Sequence, residues 1–155
     1  MNNPDILMLS NDHNSMPDDE FKWKDRNIET KAQATKFYQT ELNSGLVWVF
    51  KGATGSPDNE DYFDYDMWIP HFDKEPLKRT YNLNDGLIIR HTHSLPGTPD
   101  HIKYKSVHAD EGTLEIEIDV EKGHVVGCFS AKFKTNYDLE PKGSFEMTEW
   151  RPVKE

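Results

Sequence analysis

The sequence predicts a mostly all-β domain, an antiparallel β-sandwich or a small β-barrel of about eight or nine short strands. Segments of alternating apolar and polar residues recur along the chain, and side chains alternate between the two faces of a strand. Turn signals of Gly, Pro, Asn and Asp separate these segments roughly every ten residues, as in sandwiches and barrels. Convincing helical periodicity is scarce, which disfavours a parallel sheet with crossover helices.

The length and composition predict one domain. A chain of 155 residues suits one hydrophobic core and is short for two. Residues 1–20 are rich in Asn, Asp, Ser and Pro and are expected to form a flexible arm, in which residues 6–9 could add an edge strand. Residues 21–155 would form the β domain. Its basic and aromatic stretch, residues 22–26, is interpreted as surface because acidic residues surround it.

The charge and the single cysteine restrict the function classes. The formal net charge is −10, which disfavours binding to phosphate backbones and anionic lipids. We therefore expect no nucleic-acid partner and no membrane partner, but an unidentified protein or small molecule. Cys128 is the only cysteine, so no internal disulfide can form. No signal peptide or membrane span is recognisable, and we expect a cytoplasmic location.

The first strands are predicted between residues 29 and 50. Residues 29–42 contain helix-favouring Ala, Lys, Gln and Glu, but residues 34–42 also fit a strand that enters the turn sequence Asn-Ser-Gly. We favour the strand. Residues 46–50 are apolar at every position, as in a strand that is covered on both faces.

Residues 62–69 alternate strictly, which predicts a strand with two distinct faces. The predicted core face consists of Phe63, Tyr65, Met67 and Ile69. The opposite face consists of Tyr62, Asp64, Asp66 and Trp68. Pro70 ends the strand.

A hairpin is predicted next, around the turn sequence Asn-Asp-Gly at residues 84–86, which is typical of two-residue hairpin loops. Its strands would be residues 79–83 and 86–92. A loop with two prolines and a glycine is expected over residues 94–100, because these residues interrupt strands. Another short strand follows over residues 101–107.

The clearest element is a hairpin over residues 112–133, in which apolar residues alternate with acidic ones on the first strand. The predicted core residues include Leu114, Ile116, Phe129 and Phe133. Glu115 and Glu117 are predicted to face water. Two registers, which pair Val125 with Ile118 or with Val120, leave the same residues on the core face because they differ by two positions. A last strand is expected over residues 144–150.

These C-terminal strands carry a pattern of glycines and aromatic residues. A strand begins Gly-Thr, a turn follows, the return strand reads V-x-G-x-F-x-A-x-F, and a Gly-x-Phe strand ends the pattern. The residues concerned are Gly112, Thr113, Val125, Gly127, Phe129, Ala131, Phe133, Gly143 and Phe145. The pattern resembles the closing strands of a group of small bacterial β-sandwich domains of unknown function. The resemblance implies a sandwich fold and no particular activity.

The first candidate site is the polar face formed by Tyr62, Asp64, Asp66 and Trp68. Aromatic rings beside two carboxylates are suited to bind a cation through charge and the ring quadrupole. The same residues could hold a sugar, or act as a pair of carboxylates in glycoside hydrolysis. The alternative is a solvated strand face, on which the carboxylates contribute little to folding.

The second candidate site is the His-x-His sequence of His91 and His93. This spacing puts both imidazoles on one face of a strand, where they could share a metal ion. A zinc site needs a third protein ligand. The candidates for that ligand are His71, Asp100, His101 and His108. The alternative is a pair of half-exposed polar residues near a strand end.

No motif of a specific enzyme class is recognisable in the sequence, and no cofactor is expected. Cys128 is predicted to lie near Glu115 or Glu117, whose charge would make its thiol a poor nucleophile. The leading hypothesis is therefore a non-catalytic binding or interaction domain. The alternatives are a barrel-type carrier of a small ligand, with Trp48 and Trp68 lining its cavity, and a metal-dependent enzyme that uses His91 and His93.

Overall fold

The computed structural model describes residues 19–43, 45–56, 61–70, 77–98, 101–134 and 138–149. Within these ranges the chain forms eleven β-strands and one 3-10 helix. The strands are β1 (Glu20–Asp25), β2 (Ile28–Lys31), β3 (Ala34–Leu42), β4 (Gly45–Thr54), β5 (Phe63–Pro70), β6 (Leu77–Asn82), β7 (Ile88–Thr98), β8 (His101–His108), β9 (Glu111–Asp119), β10 (His124–Lys132) and β11 (Lys142–Thr148). The 3-10 helix (Leu83–Asp85) lies between β6 and β7.

The strands form two antiparallel sheets that face each other. The six-stranded sheet has the order β2-β1-β11-β10-β9-β6, and the five-stranded sheet has the order β3-β4-β5-β7-β8. The sheets do not close into a barrel. The predicted sandwich is therefore confirmed, and the barrel alternative is wrong.

The core lies between the sheets and is rich in aromatic residues. Its fully buried members include Phe21, Phe37, Phe50, Tyr65, Met67, Leu114, Ile118, Val125 and Phe133. The four residues predicted to be core in the C-terminal hairpin are buried, and Glu115 and Glu117 are exposed. The hairpin pairs Val125 with Ile118, which is one of the two predicted registers.

Two glycines of the C-terminal strands each lie beneath an aromatic ring. Gly127 is paired with Phe145, and Phe129 is paired with Gly143, across β10 and β11. A Cβ atom added to either glycine would overlap the ring of its partner. The glycines of the pattern seen in the sequence are therefore required by close packing of rings against the backbone, since any side chain would displace the ring.

The predicted hairpin around residues 84–86 is wrong. β6 pairs with β9 in the six-stranded sheet, whereas β7 pairs with β5 and β8 in the other sheet. The Asn82 side chain caps the 3-10 helix by accepting a hydrogen bond from Asn84 N at 2.9 Å, and Gly86 has φ of 89°. The turn residues therefore form a corner that carries the chain from one sheet to the other.

Two further predictions are corrected by the strand pairing. The loop expected over residues 94–100 is strand as far as Thr98, with an irregularity between Leu95 and Thr98, because a bulge accommodates proline. Residues 22–26 are not merely surface, since Trp23 is 6% exposed and contributes to the core. The preference for a strand over residues 34–42 is confirmed.

The side chain of Asp19, which precedes β1, connects two other strands. Asp19 accepts hydrogen bonds from Thr35 Oγ1 at 2.9 Å and from Thr148 N at 2.8 Å, which links β3 and β11. The arm predicted over residues 1–20, including the edge strand considered for residues 6–9, lies outside the described residues except for positions 19 and 20.

Candidate functional site

The four residues of the first candidate site share one face of β5, as predicted, but this face is buried. The exposed fractions are 2% for Tyr62, 1% for Asp64, 0% for Asp66 and 7% for Trp68. They lie on the outer face of the five-stranded sheet, opposite the core. The expectation of a solvated strand face is therefore wrong.

A row of ionisable residues crosses the five-stranded sheet on this outer face. Register pairs Lys36 with Lys51, Lys51 with Asp66, Asp66 with Arg90, and Arg90 with His108. Directly opposed residues share a sheet face, so one residue from each of the five strands stands in this charged row. Lys36, Lys51 and Asp66 are buried, whereas His108 is exposed. Charged side chains are rarely buried unless they are paired, and Asp66 is paired with Lys51 and Arg90.

Asp66 is the centre of the charged row. Arg90 Nε donates to Asp66 Oδ1 at 2.8 Å and to Oδ2 at 3.0 Å, and Trp68 Nε1 donates to Oδ1 at 3.0 Å. Lys51 Nζ lies 3.9 Å from Oδ2. The guanidinium of Arg90 lies 4.9 Å from the centre of the Trp68 ring. The carboxylate and aromatic group predicted to bind a cation therefore binds the guanidinium of Arg90, a residue of the same chain.

The second carboxylate, Asp64, is held by a neighbouring phenol. Tyr62 Oη donates to Asp64 Oδ2 at 2.5 Å. Burial raises the pKa of Asp64, whereas Lys51 and the Tyr62 hydrogen bond lower it. Burial also raises the pKa of Asp66, and the charge of Asp64 raises it further. The four predicted residues thus belong to an internal network of ion pairs and hydrogen bonds, which is suited to fixing strand register.

The lowered pKa of Lys36 allows the free-energy cost of burying this lysine to be measured. Burial, followed by the charge of Lys51, lowers the pKa of Lys36 from 10.5 to about 8. Between these values the unfolded chain binds more protons than the folded chain, so stability rises with pH. We expect the free energy of unfolding to rise by up to about 2 kcal/mol between about pH 7 and 9.5, as measured by urea denaturation.

The variant Lys36→Met should lose this rise, whereas Lys78→Met, which removes an exposed lysine, should keep it. Burial also raises the pKa values of Tyr38 and Cys128, which lowers stability above the pKa values of the unfolded groups. Both lysine variants keep these two residues, so the difference between their pH profiles reports Lys36 alone. Equal pH profiles for the wild type and Lys36→Met would show that Lys36 is not the cause.

The two histidines of the second candidate site lie on the inner face of β7. His91 pairs with Tyr65 and His93 pairs with Phe63 across β5 and β7. His91 is fully buried, and its ring lies 4.8 Å from that of Phe133, edge to face. The Nδ1 atoms of the two imidazoles are 3.3 Å apart.

The environment keeps these imidazoles neutral. Burial, with smaller effects of His93 and Lys105, lowers the pKa of His91 to about 4. Burial and Lys105 also lower the pKa of His93. Neutral imidazole is the form that binds metal ions.

The third ligand expected for a zinc site is not found in the described part of the chain. His108 stands opposite Arg90 and therefore lies on the other face of the sheet. His71, Asp100 and the side chain of His101 lie outside the described residues. Among the residues that are described, no three of His, Cys, Asp and Glu lie close enough to hold a metal ion together.

Cys128 behaves as the sequence predicts. Its Sγ atom donates to Glu115 Oε2 at 3.3 Å on the outer face of the six-stranded sheet. Burial raises the pKa of the thiol, and the hydrogen bond and charge of Glu115 raise it further. A thiol with a raised pKa is a poor nucleophile at neutral pH.

The outer face of the six-stranded sheet carries a groove that the sequence did not reveal. Its volume is about 640 Å³. The lining residues are Lys78, Arg79, Thr80, Glu115, Ile116, Glu117, Val126, Gly127, Cys128 and Ser144. Val126 is 44% exposed, which makes it one of the few large apolar side chains on the described surface.

The groove combines charges of both signs with an apolar patch. Lys78 opposes Glu117, and Thr80 opposes Glu115, across β6 and β9. Alternation in the sequence does place Glu115 and Glu117 on the outer face. Lys78 could not be placed beside them, because β6 was expected to pair with β7 rather than with β9.

The chain matches no protein-family model, no curated protein and no solved structure at a significant level. The resemblance of the C-terminal strands to bacterial sandwich domains therefore stays a prediction. Over the described ranges, no helix has the length and apolar character that crossing a membrane requires.

Proposed function

We propose that this protein is a non-catalytic binding domain, and that its partner binds on the outer face of the six-stranded sheet. The groove of about 640 Å³ carries this proposal. A sandwich has two outer faces. On the five-stranded sheet, Lys36, Lys51 and Asp66 of the charged row are buried, and Asp66 is paired with Arg90 and Lys51. The groove is therefore the better surface for a partner.

The lining of the groove favours a polypeptide segment as the partner. An apolar centre inside a polar rim is typical of protein interfaces, and here Val126 is the centre. Lys78 offers a cation, whereas Glu115 and Glu117 offer carboxylates. A segment with one apolar side chain between charges of both signs would match these groups. We place this domain in the cytoplasm because its single cysteine suits a reducing compartment.

The second hypothesis, a small-ligand carrier, has less support. Trp48 belongs to the core between the sheets, whereas Trp68 belongs to a separate cluster with Tyr38, Val47 and Val49 on the outer face. The five-stranded sheet separates the two indoles, so they cannot line one cavity.

Selection of binding peptides from a random displayed library tests the proposed function. We expect peptides selected on the wild type to bind Val126→Glu at least about tenfold more weakly, because the new carboxylate stands in the apolar centre beside Glu117. Dissociation constants from fluorescence anisotropy provide the measurement.

The matched control is Ile28→Glu, which changes a more exposed apolar side chain on β2, outside the groove lining. Binding to this variant should equal binding to the wild type. Selected peptides that bind Val126→Glu as tightly as the wild type, or a selection that yields no binders, would contradict the proposal.

A further inference from the structure

The groove of the proposed function continues across most of the six-stranded sheet. A second groove of about 190 Å³ lies over β11 and β1, and Val126, Gly127 and Ser144 line both grooves. Together they form one crossing groove that runs over five strands, from β6 to β1. Neighbouring strands are about 4.8 Å apart, so the crossing groove is about 19 Å long, which is the length of about six extended residues.

The register of the strands shows how the crossing groove is built. Its floor is the backbone of a row of inward-facing residues that includes Ile116, Gly127 and Phe145. A row of outward-facing side chains stands on each side of this floor, because side chains two positions apart on a strand point the same way. One row is Lys78, Glu117, Val126, Glu146 and Glu20, and the other is Thr80, Glu115, Cys128, Ser144 and Lys22.

Carboxylates outnumber cations in these two rows. Lys22 Nζ lies 3.6 Å from Glu20 Oε1, and Lys78 stands opposite Glu117, so two of the glutamates have a cation beside them. The remaining glutamates of the rows are Glu115 and Glu146.

Glu115 and Glu146 offer charge to a partner. Glu115 accepts a hydrogen bond from the Cys128 thiol, and Glu146 accepts one from His124 Nε2 at 2.8 Å. Over the described residues, neither glutamate forms an ion pair with a lysine or an arginine. Both are exposed, and they stand in different rows, next to Val126 or one strand away from it. The centre of the crossing groove is therefore apolar with carboxylates on both sides.

We infer that the partner of the crossing groove is a basic, extended polypeptide segment of about six residues. This inference rests on the proposed function and specifies the chemistry of the segment. An apolar side chain would contact Val126, and lysine or arginine side chains beside it would reach Glu115 and Glu146, which is the charge complementarity that specific interfaces show. A second copy of this chain is a poorer partner, because its net charge of −10 opposes self-association.

Peptides selected on the wild type from the displayed library are the probe for this inference. We expect them to carry a net positive charge and an apolar residue. They should bind the double variant Glu115→Gln with Glu146→Gln about five- to tenfold more weakly at low salt, because two exposed ion pairs are lost. Fluorescence anisotropy measures the dissociation constants, and the difference should shrink at high salt because ions screen exposed charges.

The matched control is the double variant Glu29→Gln with Glu41→Gln. It removes two exposed carboxylates outside the crossing groove and leaves the same net charge as the first double variant. Binding of the peptides to this control should equal binding to the wild type. All four glutamates are exposed, so both double variants should fold as the wild type does.

The outcomes separate this inference from the proposed function. Selected peptides that lose affinity for Val126→Glu but are neutral or acidic, or that bind both double variants equally, would overturn the basic partner and leave the binding groove in place. A selection that yields no binders would contradict both. Dimerisation of the wild type that Val126→Glu abolishes, measured by sedimentation equilibrium, would identify a second copy of the chain as the partner and also overturn the inference.

Discussion

Replacing Asp66 by asparagine should lower the free energy of unfolding by about 3–5 kcal/mol. The substitution keeps the volume of the side chain but removes the charge that Arg90 contacts at 2.8 Å and Lys51 at 3.9 Å. Lys51 and Arg90 would lose this carboxylate on a largely buried face of the sheet, and removing one partner of a buried ion pair is strongly destabilising. Urea denaturation monitored by circular dichroism measures the loss.

An exposed ion pair provides the matched control. Arg26 Nη2 lies 3.2 Å from Asp138 Oδ2, and both side chains are more than half exposed. Asp138→Asn should therefore cost less than about 1 kcal/mol. The double variant Asp66→Asn with Arg90→Met should cost less than the sum of the single changes, because it removes both members of the pair. Equal losses of stability for Asp66→Asn and Asp138→Asn would show that the buried ion pairs of Asp66 stabilise the fold no more than an exposed ion pair does.

Replacing Phe129 by alanine should cost about 3–5 kcal/mol. The ring is 4% exposed and packs 5.8 Å from the ring of Phe21 and 6.0 Å from that of Tyr65. It also covers the backbone at Gly143. Its loss would leave a cavity between the sheets and expose the backbone of β11. Thermal and urea unfolding both measure the change.

Val126→Ala is the control for this second prediction, since Val126 lies on the same strand but on the outer face. It should change the free energy of unfolding by less than about 1 kcal/mol. A cost below about 1 kcal/mol for Phe129→Ala as well would show that the inner face of β10 is not packed as described.

Alternation predicted the inner faces of β5, β9 and β10 because each of these strands turns one face to the same core. It predicted Leu114 and Phe129 as buried and Glu115 as exposed for that reason. β1 was missed although Phe21 and Trp23 stand two residues apart, because the basic residues of this stretch and the acidic residues around it suggested surface. A charged residue on the outer face of a strand is compatible with an apolar inner face. The two-residue spacing of Phe21 and Trp23 was therefore the signal that could have predicted this strand.

The charged row could not be predicted in the same way. Alternation places Asp64 and Asp66 on the strand face opposite the core. A prediction from the sequence then takes this face to be exposed to solvent. The burial of Asp66 depends on Lys51 and Arg90, which come from two other strands. Their alignment is a matter of sheet order and register, which local patterns leave open. The groove depends on pairing in the same sense, because its cation, Lys78, comes from β6 and its carboxylates come from β9.

The pairing of β1 with β11 has a consequence for synthesis of the protein. The ribosome releases β1 among the first described strands and β11 last. Phe21 therefore stacks on the Phe145 ring, at 5.3 Å, only after all the residues between them have been made. Closing so long a loop is slow compared with forming a hairpin. During that interval β1 can pair with β2, but its apolar face stays uncovered, and exposed apolar surface of this kind is what chaperones shield in nascent chains.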